Sequence, residues 1–180
     1  TVGSYDLDIF SSDGDENKAL NDLTKGNINV LFLFGQEELK FNKKNEFIIY
    51  IGSHGDYGAE CADIILPGAT YVEQDGYFTN LEGNIQKAYK ASYPPGDAME
   101  DWSIINDLSA NLKRNKLYLN KDELISSMFN YLKINKTNNS FKLSDYKYFD
   151  EKIVVQDIDY YHSNVIARAS KTMSECKNIK

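Results

Sequence analysis

Two uninterrupted apolar runs, Val30-Leu-Phe-Leu-Phe34 and Phe47-Ile-Ile-Tyr-Ile51, constrain this chain more than anything else in it. Each is strand-length, and neither alternates with polar residues. Such a run suits a strand buried on both faces, as strands of a parallel sheet are. Gly35 ends the first run, and a Glu- and Lys-rich stretch leads on to Asn45. The second run enters a glycine-rich turn, Gly52-Ser-His-Gly-Asp-Tyr-Gly58. Tyr57 to Ala62 can form only about a turn and a half of helix at about 3.6 residues per turn. Asp63-Ile-Ile-Leu66 is then a third short strand, stopped by Pro67-Gly68. Strand, short crossover, strand predicts an α/β fold with a parallel sheet.

The flanking segments read as follows. Asp13 to Lys25 predicts a helix with Asp13 or Asp15 as cap, Ala19, Leu20 and Leu23 as its apolar edge, and Gly26 as its stop. Thr70–Glu73 and Tyr77–Thr79 predict a hairpin turning at Asp75-Gly76, and Ile85–Ala91 a further extended segment. Pro94-Pro95-Gly96 breaks regular structure. Asp97 and Glu100 have the spacing of a capping box, opening a helix with Trp102, Ile105, Leu108 and Leu112 inward. Asn120 and Glu123 form a second box, ahead of Leu124, Ile125, Met128, Phe129 and Leu132. Asn135 to Lys152 is polar and reads as a surface loop. Ser163 to Cys176 predicts a last helix, with Ile166, Ala169, Met173 and Cys176 on one face. The expected organisation is an α/β domain over 1–134, a polar loop over 135–157 and a helical tail over 158–180.

Charge narrows the partners. Among 180 residues, 27 Asp and Glu outnumber 20 Lys and Arg, a net charge of −7. Nucleic-acid binding needs clustered cations, and no basic stripe exists, so a nucleic-acid partner is not expected. An anionic membrane surface is disfavoured by the same sign. No apolar run reaches the roughly 18 residues of a membrane-crossing helix, so direct membrane insertion is not expected. The start, Thr1-Val-Gly-Ser-Tyr, lacks Met and reads as a chain beginning inside a domain.

Candidate functional residues are few. Glycines at a strand's carboxyl end let a backbone approach phosphates. But Gly52–Gly58 is GxxGxxG, not GxGxxG, and its helix is short, so a structural turn is favoured over a phosphate contact. His54, inside that turn, has no second ligand nearby and reads as hydrogen-bonded structure. Asp63, Glu73, Asp75 and Glu82 could hold a metal or do acid–base work, yet no two share a helix face. No GxSxG elbow accompanies the Ser, His and acidic residues. Cys61, beside Ala62 and Ile64, reads as a buried inert thiol. Cys61 and Cys176 are the two cysteines, too few to ligate an iron–sulfur cluster from this chain alone.

A series of ordered motifs carries a resemblance. They are Ile48-Ile-Tyr-Ile-Gly-Ser-His-Gly-Asp-Tyr-Gly-Ala59, Ala62-Asp-Ile-Ile-Leu-Pro-Gly-Ala69, Tyr71-Val-Glu73, Gly76-Tyr-Phe-Thr-Asn-Leu-Glu-Gly-Asn-Ile-Gln86, Pro94-Pro-Gly-Asp-Ala98 and Asp101-Trp-Ser-Ile-Ile105. Together they resemble the molybdopterin oxidoreductase-like domain, and within that group the largest iron–sulfur subunits of respiratory complex I. The tail from Ile158 to Cys176 is similar to the end of those subunits. The resemblance is clear over Val30–Leu112 and adds little over Thr1–Asn29 and Lys113–Asp157. Two departures stand out: Asn84 and Met99 occupy positions where the wider family has Arg. A lost Arg is a lost bidentate ligand for phosphate or carboxylate.

The resemblance implies a mostly parallel, Rossmann-like sheet with a small β-hairpin region and C-terminal helices. It implies a structural part of the matrix-side peripheral arm at the mitochondrial inner membrane, or the cytoplasmic side of a bacterial membrane. Electrons there pass from NADH to ubiquinone, coupled to proton translocation. Expected partners are other complex I subunits, above all the cluster-bearing N-terminal part of the same subunit and the flavoprotein. Iron–sulfur clusters are expected in that partner region, molybdopterin is expected to be absent, and no catalytic, cofactor-binding or metal residue is expected here. Two rivals remain: a catalytic molybdopterin enzyme of the formate dehydrogenase type, and a nucleotide-binding module resting on Gly52–Gly58.

Overall fold

The computed structural model describes residues 2–9, 18–36, 40–112, 114–136 and 159–179. They divide into two compact units, Thr1–Thr137 and Asn138–Lys180.

The first unit is built on β1 (Val30–Phe34), β2 (Phe47–Gly52) and β3 (Ile64–Pro67), all parallel, in the order β1-β2-β3. The predicted α/β sheet is therefore present. Its register pairs Leu31 with Ile48 and Leu33 with Tyr50 on one face. On the other face it aligns Val30 with Phe47, Phe32 with Ile49 and Ile64, and Phe34 with Ile51 and Leu66. The first face carries the core: Leu33, Ile48 and Tyr50 are buried, with Leu31, Phe41, Ala59, Cys61 and Ala62 packed against them. Phe41 lies in the β1–β2 connection, and Ala59, Cys61 and Ala62 lie between β2 and β3. Both crossovers thus cover the same face, as right-handed connections must when strands are laid down in one direction.

The opposite face differs from expectation. Val30 is 52% exposed, Phe32 40%, Phe34 48% and Phe47 44%. Burial on both faces holds for the middle of β2 and fails for β1. Among the described residues, the crossovers pack their apolar side chains on the first face.

Helix α1 spans Val2–Asp6 and α2 Lys18–Lys25. The predicted caps Asp13 and Asp15 lie outside the described residues. Leu23 is buried, whereas Leu20 is exposed. Gly26 stops α2 as predicted: its φ is +77°, its N–H donates to Leu23 O, and Asn27 N–H donates to Asp22 O. That pair of bonds is a Schellman motif, which needs the left-handed conformation that glycine adopts freely. Between β2 and β3, α3 (Tyr57–Cys61) is the predicted short turn of helix, capped by the Asp56 carboxylate.

The predicted hairpin is displaced. The antiparallel pair is β4 (Gly76–Thr79) with β5 (Ile85–Ala88), and residues 71–74 form a turn instead of a strand. The chain reverses at Asn80–Asn84, where Gly83 takes φ +81° and Asn80 Oδ1 accepts from Glu82 N–H and Asn84 N–H. Gly76 has no positive φ, so Asp75-Gly76 cannot form the type I′ turn its composition suggests. Asp75 instead accepts from Lys90 N–H at 2.8 Å.

Helix α4 (Asp101–Asn111) also departs from its predicted face and cap. Glu100 is its N-cap residue and makes no side-chain capping bond, so the Asp97–Glu100 box does not form. Ile104 and Asn106 are buried, while Ile105 and Leu112 are exposed. Asn106 explains the rotation. Its Oδ1 accepts from Leu117 N–H (2.7 Å) and Tyr118 N–H (3.1 Å), and its Nδ2 donates to Tyr118 O (2.9 Å). Helix α5 (Lys121–Lys136) follows expectation more closely. Glu123 N–H donates to Asn120 Oδ1, and Glu123 Oε2 accepts from Leu119 N–H, one residue earlier than an ideal box. Its inward side carries Leu124, Ile125, Met128, Phe129 and the buried Leu132. The polar loop predicted over 135–157 lies, apart from its first two residues, outside the described residues.

In the second unit the single predicted helix is two: α6 (Val165–Ala169) and α7 (Lys171–Asn178). Ser170 has extended backbone between them and caps α7 by accepting from Met173 N–H. A serine at this point offers the chain a new helix start, which competes with continuing the old one.

Candidate functional site

The glycine turn after β2 is closed by the protein's own tyrosine. Tyr50 is 1% exposed, and its hydroxyl donates to His54 O at 2.6 Å. A Cβ on Gly52 would lie 2.2 Å from Tyr50 Oη, and one on Gly58 would lie 2.3 Å from Gln36 O. The glycines are therefore needed to fit the tyrosine ring and the neighbouring backbone. The turn is tight, and the Tyr50 phenol fills the space beside its glycines. His54 Nδ1 lies 3.0 Å from Ser53 Oγ, a contact between chain neighbours.

The four acidic candidates are dispersed and each has a structural partner. Asp63 accepts from Ile48 N–H (2.8 Å) and pairs with Lys43 (2.7 Å). The backbone donor first, and then Lys43, hold its carboxyl below the usual range. Glu73 accepts from Thr70 N–H at 3.0 Å. Asp75 is likewise held low, first by Lys90 N–H. Glu82 is exposed and accepts from Asn84 Nδ2. Burial pushes the Cys61 thiol up, and Cys61 Sγ donates to Gly58 O, which makes it a poor thiolate. Among the described residues, no group of three or more His, Cys, Asp or Glu could hold a metal ion.

Asn84 and Met99, where the resemblance leads one to expect Arg, bind the fold through their backbones. Asn84 closes the hairpin turn through its backbone N–H and carbonyl. Met99 lies beside the end of β3: its N–H donates to Pro67 O, and its carbonyl accepts from Ala69 N–H. Neither side chain carries a charge for an anionic group.

A cleft that sequence reasoning missed lies between the start of β4 and helices α4 and α5. Its volume is about 510 Å³, and Tyr77, Trp102, Lys121, Ile125 and Met128 are among its lining residues. Lys121 Nζ pairs with the Glu100 carboxylate and donates to Asp75 O; Glu100 also accepts from Trp102 Nε1 at 2.8 Å. The lysine's charge is thus already matched. No spacing rule would have found the cleft, because its walls come from residues far apart in the chain.

In the second unit, His162 Nε2 stands 3.2 Å from Ser174 Oγ and Nδ1 3.6 Å from Asp159. The Ser174 hydroxyl lies 3.2 Å from Ser170 O and has one proton to give, to that carbonyl or to His162 Nε2 according to the imidazole tautomer. Asp159 is held low mainly by Lys177 and serves as an anchor for the segment.

Comparison with known proteins completes this picture. Residues 3–111 match the molybdopterin oxidoreductase family. The chain belongs to that family. Residues 136–176 match the C-terminal region of the G subunit of NADH-ubiquinone oxidoreductase, which places the chain with the complex I branch. It is 36% identical to the NADH-ubiquinone oxidoreductase 75 kDa subunit of Reclinomonas americana, across 99% of this chain and 27% of that protein. It is 40% identical to the G subunit of the NADH-quinone oxidoreductase of Rickettsia bellii, across 99% of this chain and 26% of that protein. With the mitochondrial 78 kDa subunit of Candida albicans the figures are 33%, 89% and 25%. The chain is homologous to the C-terminal region of this large complex I subunit and spans about a quarter of the length of these relatives. Among the described residues no helix is long and apolar enough to cross a membrane.

Proposed function

We propose that this chain is a structural part of the peripheral arm of complex I, on the matrix side of the mitochondrial inner membrane. It supports a redox pathway from NADH to ubiquinone whose clusters are carried by the preceding part of the large subunit. The observation that carries this reading is similarity to that subunit over 99% of the chain at 36–40% identity. No residue here is assigned a catalytic role, and no pterin dinucleotide is assigned to the fold. The Tyr50 ring in the glycine turn supports that assignment, as do the uncharged Asn84 and Met99.

Partners follow from the same reading: the cluster-bearing portion of the large subunit, the flavoprotein, and their neighbours. The expected interface is large, permanent and apolar, in the manner of obligate assemblies. Affinity purification through a tag on this chain should recover a flavoprotein and a cysteine-rich iron–sulfur polypeptide with NADH:quinone activity. Stoichiometric molybdenum or tungsten in that material, with formate-dependent turnover, would instead favour the catalytic molybdopterin reading. Recovery of the chain from its own cells only as a free monomer, with neither flavoprotein nor iron–sulfur polypeptide, would count against any obligate assembly.

A further inference from the structure

Beyond membership of an assembly, the sheet indicates where and how this chain is held. We propose that the open face of the sheet at β1, formed by Val30, Phe32 and Phe34 with Phe47 of β2 beside them, is the seat of an apolar helix from the preceding part of the large complex I subunit. The inference rests on the complex I reading, because that reading supplies the occupant.

Four observations converge. The residues share one face by register, and all four are 40–52% exposed. Phe32 and Phe34 lie with ring centroids 6.1 Å apart and planes 16° from parallel, forming a continuous aromatic ledge without a charged group on the strand. The described residues of both crossovers that join the core, Phe41, Ala59, Cys61 and Ala62, pack on the opposite face. On the open side, α4 comes alongside the far edge, where Leu66 and Pro67 share a cavity of about 220 Å³ with Ile104 and Leu108.

The chemistry of the occupant follows. Parallel sheets are shielded on both faces, almost always by helices. A doubly wound sheet reverses strand order at one point, and helices connecting strands beyond that point lie on the other face. β1 is at the edge of this three-stranded sheet, so strands added beyond it bring their helices to the open side. The chain spans about a quarter of its relatives, and its final residues match their C-terminal region. The length available to supply that helix therefore precedes this region in the relatives. Its contact side must be aliphatic or aromatic, since the ledge offers no polar side chain to match.

The test uses the assembled complex. Benzophenone photo-cross-linkers are introduced as Phe32→benzoylphenylalanine and, separately, Phe34→benzoylphenylalanine. Cross-linked peptides are identified by mass spectrometry after purification through a tag on this chain. The expected product joins the ledge to an apolar segment from the preceding part of the large subunit, whether that part is joined to this chain or separate. Cross-links to a second copy of this chain, to a different subunit, or to nothing in the intact complex would overturn the proposal. Recovery of flavoprotein with the tagged chain, scored in the same sample, tests the complex I reading separately. As a second measurement, Phe32→Asp should lower the fraction of chain retained in the complex at least about tenfold, because a charge buried in an apolar contact costs more than the roughly 1.4 kcal/mol that tenfold represents. Phe32→Leu should retain it.

Discussion

Leu33 is buried on one face of β1, whereas Phe32 and Phe34, its neighbours on the same strand, stand 40% and 48% exposed on the other. The side chains are chemically alike, and the strand is the same. The difference lies in what passes over them. The β1–β2 and β2–β3 connections bring Phe41, Ala59, Cys61 and Ala62 over Leu33, Ile48 and Tyr50. A strand's apolarity therefore reports how much cover it was built to receive, and the fold shows how much of that cover this chain supplies.

The largest test of this contrast sets Tyr50→Ala against Phe34→Ala. Tyr50 is fully buried and donates to His54 O, so its loss leaves a cavity and an unpaired carbonyl. A cost of about 3–5 kcal/mol is expected for Tyr50→Ala. Phe34→Ala should cost about 1 kcal/mol or less in this chain alone, as exposed positions do. Equilibrium urea unfolding followed through Trp102 fluorescence measures both. Equal costs would mean that the faces are equivalent and that the exposed ledge is illusory.

A smaller effect sharpens the claim that the closed face reaches into the glycine turn. Gly58→Ala would push a methyl group against Gln36 O and the Tyr50 ring, and should cost about 1–3 kcal/mol. Gly55→Ala, in the same turn, meets nothing within 4 Å and should stay within about 0.5 kcal/mol of the parent. If the two substitutions behaved alike, the turn would have room for a ligand after all.

The smallest expected effects are in pH dependence, where two aspartates flanking the sheet have opposite signs. Asp63 is held below its ordinary value, so its contribution is complete above about pH 3.9 and is lost as pH falls through the lower folded value. Asp63→Asn should therefore weaken the fold at pH 7, with the gap closing at acid pH. Asp101 is pushed up by burial first and by Glu100 second. Its penalty is absent below about pH 3.9 and grows as pH rises through the raised folded value. Asp101→Asn should thus be neutral in acid and mildly stabilising at pH 7. Urea midpoints across pH 3–7 would show both trends, and parallel curves for the two variants would refute the assignment.

Much of the local structure could be read from residues near one another in the chain. The positions of the strands, the brief α3, the Gly26 stop and the inward side of α5 all follow from their patterns. At Gly52–Gly58, Asp63 and Asp75 the sequence suggests structural roles, but the partners that the fold supplies there were hidden. Tyr50 looked like one more apolar strand residue, and nothing nearby announces that its ring fills the turn. Asp75-Gly76 looked like the hairpin tip because its composition is right for one. The turn went to Asn80–Asn84, where Asn80 satisfies two backbone N–H groups and Gly83 accepts a positive φ. In α4 the apolar stripe pointed to Ile105, but a buried Asn106 that secures residues 117 and 118 turned Ile104 inward.

Hydrogen-bonding caps, glycine stops and strand-length apolar runs act within a few residues, so composition and spacing were enough to define them. Which side of β1 is sheltered, where the hairpin folds back and how α4 is rotated depend on groups distant along the chain. Those choices are made by competition for burial and for backbone donors once the elements meet. Crossover handedness then carries both connections over one side of the sheet and leaves Val30, Phe32, Phe34 and Phe47 uncovered on the other.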